Sequence, residues 1–173
     1  SIGISIFPYD GEDPLVLLKN ADVAMYRAKE QGKNRCNIFH SGMDIYSYKS
    51  FILQNDLRKA IERNELTLYF QPRMELETGM IKSAEVLLRW NHPSWGSILP
   101  SDFIPLAEET GQIIEIGEWV LKSACEQLRA WKNTEFSSLG LAVNFSLKQF
   151  MEKGLTEKIK TIISENDIEA GKL

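Results

Sequence analysis

The chain has 173 residues, of which 43% are hydrophobic and 25% charged, with a formal charge of −4 and two cysteines. That balance is ordinary for a soluble globular protein of one domain or two small ones. It offers no basic stripe for a polymeric nucleic acid, too few cysteines for a disulfide framework, and no apolar run of membrane-spanning length, so a cytoplasmic region is expected.

In chain order, Ile2, Ile4 and Ile6 alternate with Ser1, Gly3 and Ser5, the period of a strand. Pro8-Tyr9-Asp10-Gly11 breaks it, and Asp13-Pro14 supplies a helix cap followed by proline at the first helical position. Leu15, Leu18, Ala21, Ala24, Met25 and Ala28 form one apolar stripe, with Gly32 near the helix end. A short strand is expected at 36–39, where Cys36 falls. A second helix, with Phe51, Ile52, Leu57 and Ile61 among its apolar positions, is expected from about Ile45 to Asn64. Its charged face suits a connecting helix and leaves a dimer contact open.

Residues 66–74 and 81–90 read as strands around the turn Glu77-Thr78-Gly79. Asn91-His92-Pro93 ends the second, and Trp95-Gly96 falls in a loop. Ser101 is expected to cap a helix closed by Gly111, and a longer helix over 113–132 turns Ile116, Trp119, Val120, Ala124 and Leu128 inward. A strand at 139–145, a polar turn and a helix from Leu155 to Glu165 follow. Strands alternating with helices after an initial hairpin fit the opening of a β/α barrel with an antiparallel departure near its start. The chain starts in a strand-like run and stops after a helix, so both ends are expected to cut through domains.

Three polar residues interrupt these strands. Glu85 stands in Ala84-Glu85-Val86-Leu87-Leu88-Arg89-Trp90, where a carboxylate on a barrel strand can bind a hard divalent cation or simply be solvated. Arg89 shares its face, placed for a phosphate or for a salt bridge to Glu85. Asn144 closes Leu141-Ala142-Val143-Asn144, where its amide oxygen can ligate Mg²⁺ or Mn²⁺ or cap a turn. Gln71-Pro72 marks a strand edge or end. His92 reads as a turn residue and His40 as surface, Cys125 as a small buried hydrophobe, and the four tryptophans as core or junction residues. No nucleophile elbow, phosphate-binding P-loop or dinucleotide fingerprint is present.

Residues 1–39 resemble the C-terminal end of GGDEF diguanylate cyclase domains through Ser1-Ile2-Gly3-Ile4, Pro8-Tyr9-Asp10-Gly11, Leu17-Leu18, Ala21-Asp22, Ala24-Met25-Tyr26, Ala28-Lys29 and Gly32-Lys33-Asn34-Arg35. Residues 50–173 resemble the N-terminal half of an EAL domain through Leu68-Tyr69-Phe70-Gln71-Pro72, Glu85-Val86-Leu87-Leu88-Arg89-Trp90, Asn91-His92-Pro93, Pro100 to Gly111, Trp119-Val120-Leu121, Val143-Asn144-Phe145-Ser146 and Gln149-Phe150. The resemblance implies an α/β chain: a GGDEF end over 1–42, a connecting helix over 43–64 and an incomplete EAL-type (TIM-like) barrel over 65–173. It makes Glu85 and Asn144 ligands of Mg²⁺ or Mn²⁺. Arg89 becomes a phosphate contact and Gln71 a pocket residue for cyclic di-GMP.

Lys29 and Lys33 then remain from a GGDEF site for GTP phosphates, Lys33 standing where the family usually has arginine. The signature reads Glu-Val-Leu, and Ser83 stands where glycine is frequent. The implied activity is a metal-dependent phosphodiesterase giving linear pGpG in the intact parent. The alternative is a non-catalytic cyclic di-GMP receptor or protein-interaction regulator, and a homodimer or protein partner fits either. The GGDEF signature and its metal aspartate are expected before Ser1, which excludes cyclase activity for the fragment. The remaining EAL carboxylates and the base are expected beyond Leu173, and the fragment alone is expected to be inactive.

Overall fold

The computed structural model describes residues 1–43 and 45–173, with only the backbone described for 45–48. Asp44, part of the expected connecting segment, lies outside the described residues. The chain divides into two units, Ser1–Ile52 and Leu53–Leu173.

In the first unit, β1 (Ile2–Ile4) runs parallel to β2 (Cys36–Ile38), with Ile2 opposite Cys36 and Ile4 opposite Ile38. Helix α1 (Pro14–Glu30) makes the crossover. Asp13 caps it, its carboxylate accepting the N–H groups of Leu15 and Val16 while Pro14 opens the first turn. Gly3 is what meets the helix: a Cβ there would lie 1.9 Å from the Ala21 carbonyl oxygen. Close strand–helix approach thus demands glycine. With Gly3 facing α1, the strand alternation turns Ile2 and Ile4 away, and both are exposed. The expected α1 stripe holds at Ala24 and Ala28, which are buried with Val23, but Leu15 and Leu18 are exposed.

Helix α2 (Ile45–Leu57) ends seven residues short of Asn64. Residues 58–64 turn instead, ending at Asn64 with φ 54°, a conformation that asparagine tolerates and a helix interior does not. The turn lets the chain reverse directly into a strand.

The second unit is built around one four-stranded sheet. Strand β3 (Leu66–Met74) pairs antiparallel with β4 (Ile81–His92). On its other side β4 pairs antiparallel with β5 (Gly96–Ile98) and parallel with β6 (Gly140–Val143). The expected hairpin and the antiparallel departure are both present, and Pro72 sits in β3 at the sheet edge. β5 is an element that the sequence reading placed in a loop. Helix α3 (Pro100–Thr110) follows Leu99 with no side-chain cap; Ser101 lies inside its first turn because Pro100 already occupies the opening position. Gly111 closes α3 in the left-handed conformation, as expected.

Helix α4 (Ile113–Trp131) buries Ile116, Val120, Ala124 and Leu128 against Ala84, Val86, Trp90 and Phe103, with Trp119 partly buried beside them. Each fully buried aliphatic side chain contributes about 1.5–3 kcal/mol. The expected polar turn contains a short helix, α5 (Leu147–Phe150), before α6 (Leu155–Glu165), whose Ile162 packs on Leu121 and Cys125. Among the described residues no barrel closes, and no helix is long and apolar enough to cross a membrane.

Candidate functional site

Strand β4 positions the site by alternation. Ala84, Val86, Trp90 and His92 are buried on the helix side, with Leu88 partly buried beside them. Ser83, Glu85, Leu87 and Arg89 therefore share the opposite face. The antiparallel register sets Gln71 directly across from Glu85, and Thr67 across from Arg89. The parallel register sets Ala142 across from Glu85, so Asn144, two residues on, projects to the same face just past the end of β6.

The Asn144 amide Nδ2 donates to Glu85 Oε1 at 2.8 Å, joining residues 59 apart in sequence. Arg89 Nη1 donates to the Leu88 carbonyl at 2.9 Å, and its guanidinium carbon lies 5.4 Å from the Tyr69 ring centroid. Among the described residues no ion pair joins Arg89 to Glu85, so the salt-bridge alternative does not form. The guanidinium is held against an aromatic face, with donors remaining for another acceptor. Gln71 is exposed beside this group.

The Glu85 carboxylate and the Asn144 amide thus converge on this face. Turning the Asn144 amide by half a revolution would present its oxygen where the nitrogen now lies, and the hydrogen-bonded pair would become a pair of oxygen ligands. Their chemistry fits Mg²⁺ or Mn²⁺, although such ions take about six ligands. Among the described residues no group of three or more His, Cys, Asp or Glu gathers around a cation position. Beneath the segment that follows β6, a mostly apolar cavity of about 270 Å³ is lined by Leu88, Ile104, Ile116, Val120, Asn144 and Gln149, among others. Glu85 and Arg89 do not line it.

In the other unit, Lys29 lies in the last turn of α1, and Lys33 follows it with φ 62°. Both are exposed.

Residues 54–173 match the EAL domain family, and residues 1–35 match the family described as diguanylate cyclase, GGDEF domain. The chain belongs to the EAL domain family. It carries the C-terminal end of a GGDEF domain ahead of the EAL portion, as the sequence motifs led one to expect. Over its whole length it is 42% identical to the bifunctional diguanylate cyclase/cyclic di-GMP phosphodiesterase MucR of Pseudomonas aeruginosa, covering 25% of that protein. It is 34% identical to the cyclic di-GMP phosphodiesterase PdeR of Escherichia coli over 98% of the chain and 25% of that protein. The structure of the PaMucR phosphodiesterase in complex with c-di-GMP superposes with a TM-score of 0.68 and 42% identity, over 70% of this chain and 49% of that one. The chain therefore spans about a quarter of the length of these curated relatives and forms a partial EAL domain.

His92 is the residue whose setting the sequence reading missed. It is buried rather than a simple turn residue, and its Nδ1 accepts the N–H groups of Ser94 and Trp95 at 3.1 and 3.2 Å. The ring proton therefore sits on Nε2 and is donated to Asp56 Oδ2 at 3.1 Å. Next to it, the buried Trp90 donates its indole N–H to Glu65 Oε2 at 2.9 Å. These contacts hold the end of α2 and the start of β3 to the last residues of β4. Histidine before proline carries no sequence signal for such a contact, because its partner Asp56 lies 36 residues earlier.

Proposed function

We propose that the full-length protein carrying this chain is a metal-dependent cyclic di-GMP phosphodiesterase that releases linear pGpG. The observation that carries this reading is the 2.8 Å contact between Glu85 and Asn144, on the same sheet face as Arg89 and Gln71. It is supported by the relatives' activities and by the cyclic di-GMP complex among the structural neighbours.

In this reading Glu85 and Asn144 present oxygen ligands to a divalent cation, with further ligands from the rest of the EAL domain. When bound, Mg²⁺ or Mn²⁺ supplies Lewis-acid activation of water and neutralises charge at the phosphodiester. Arg89 leaves the Leu88 carbonyl to engage a phosphate oxygen, its planar fork kept in orientation by Tyr69. Gln71 contributes amide hydrogen bonds at the rim opposite Glu85.

The proposed domain boundaries are 1–42 for the GGDEF end, 43–64 for the connecting segment and 65–173 for the EAL portion. Lys29 and Lys33 belong to a GTP-phosphate surface that needs the rest of a GGDEF domain. A homodimer or protein partner, and a cytoplasmic setting for this region, complete the proposal.

The test is turnover of cyclic di-GMP by the full-length protein with Mg²⁺ or Mn²⁺, beside its Glu85→Ala variant. Metal-dependent release of pGpG, lost in the variant, is the expected result. Binding of cyclic di-GMP without turnover would replace the enzyme reading with that of a receptor.

A further inference from the structure

Asn144 can face Glu85 only if the chain just beyond β6 is held in place, and the structure contains a device that holds it. Val143 is the last residue paired to β4, opposite Val86. Three residues later Ser146 caps α5 in a reciprocal arrangement: Ser146 Oγ accepts the Gln149 N–H at 3.3 Å, and Gln149 Oε1 accepts the Ser146 N–H at 2.8 Å. Only Asn144 and Phe145 lie between these two anchors. Phe145 packs on the cluster of Leu121 and Cys125 from α4.

Gln149 is anchored too. It is 5% exposed, unusual for an amide on a four-residue helix. Its side chain enters a notch on α4 that exists only because residue 117 is glycine: a Cβ there would lie 1.7 Å from Gln149 Nε2. Gly117 interrupts a long amphipathic helix, where glycine costs about 1 kcal/mol relative to alanine. Gly117 and Leu121 are one turn apart on α4, so a single face of that helix receives both Gln149 and Phe145. Lys148 adds a third tie, donating to the Glu108 carbonyl at the end of α3.

We propose that Gln149, seated in the Gly117 notch, is a positioning residue that holds Asn144 in register with Glu85 through Ser146. The proposal rests on the metal-site reading of Glu85 and Asn144. Groups that orient ligands in this way typically cost about 10–100-fold in metal affinity when removed.

The experiment is Mn²⁺ binding to the full-length protein without nucleotide, followed by electron paramagnetic resonance, for the wild type, Gln149→Ala, Gln149→Glu, Gly117→Ala, Ser146→Ala and Glu85→Ala. Gln149→Ala and Gly117→Ala should weaken binding about tenfold. Gln149→Glu keeps the capping oxygen and should stay within about twofold of wild type. Ser146→Ala leaves the notch untouched and should weaken binding about threefold, which keeps the test alive if the bulkier disruptions fail to fold. A purely structural Gln149 would lower the unfolding midpoint and leave the affinity of the folded protein unchanged. Wild-type Mn²⁺ affinity in Gln149→Ala, Gly117→Ala and Ser146→Ala, with binding lost in Glu85→Ala, would overturn this proposal alone. Wild-type affinity in Glu85→Ala would overturn the metal-site reading and this proposal with it.

Discussion

The two faces of β4 divide the work of the EAL portion. Ala84, Val86, Trp90 and His92 are between 0% and 5% exposed and pack in the core, with the Trp90 indole donating to Glu65 and the His92 ring accepting two backbone N–H groups. One residue out of phase, Glu85, Leu87 and Arg89 are only partly covered, and the two charged groups are held by light, replaceable contacts: an amide for Glu85, a carbonyl and an aromatic ring for Arg89. A group meant to exchange partners must not be buried with one, since breaking a fully desolvated charge pair costs several kcal/mol. The same strand thus serves the core through one parity and the proposed ligand face through the other.

If that division holds, substitutions on the two faces fail in different assays. The largest loss of stability should come from Trp90→Ala, which empties a fully buried site and deprives Glu65 of its indole donor. Denaturant unfolding should register a loss of about 3–5 kcal/mol. Glu85→Ala should do the reverse, lowering cyclic di-GMP turnover more than about 100-fold while shifting stability by only about 0.5 kcal/mol. A large stability loss in Glu85→Ala would break the comparison.

His92→Ala should cost about 1–3 kcal/mol, because it leaves two backbone N–H groups without their acceptor and removes one of the partners of Asp56, which keeps Arg63. Turnover per folded molecule should not change, which equilibrium unfolding and active-fraction kinetics can separate. Arg89→Lys keeps the charge and loses the fork, so KM for cyclic di-GMP should rise about tenfold with the unfolding midpoint unmoved. An unchanged KM would remove Arg89 from the phosphate.

The smallest effect is a pH slope. Burial, with a smaller contribution from the nearby Glu126 charge, holds the Cys125 thiol above its ordinary 9.0. The folded state therefore keeps a proton that the unfolded chain releases. This contribution to stability is intact below 9.0 and declines as the pH rises above it. Cys125→Ala should flatten the alkaline decline in unfolding midpoint relative to wild type. Exposed Cys36 should meanwhile react with a thiol reagent long before Cys125 does.

Most elements were legible because their signals are local. The Asp13-Pro14 start of α1, the Gly111 close of α3, and the bounds of β3 and α6 are written in adjacent residues. The misreadings arose where a distant partner decides. Periodicity carried α2 on to Asn64, but the need to reverse into β3 ends it at Leu57. β5 is three residues whose only strand character comes from pairing with the end of β4. Leu15 and Leu18 have core-like chemistry, yet Gly3 directs a different part of α1 onto the sheet.

By itself the sequence determined the family, the order of the helices and strands apart from the short β5 and α5, and the shared face of Glu85 and Arg89, since a period of two needs no knowledge of the fold. Tertiary structure alone decided that Asn144 would meet Glu85 across 59 residues, that His92 would be buried against Asp56, and that Gly117 would make room for Gln149. Those outcomes depend on strand register and helix packing, where a shift of one residue exchanges the faces.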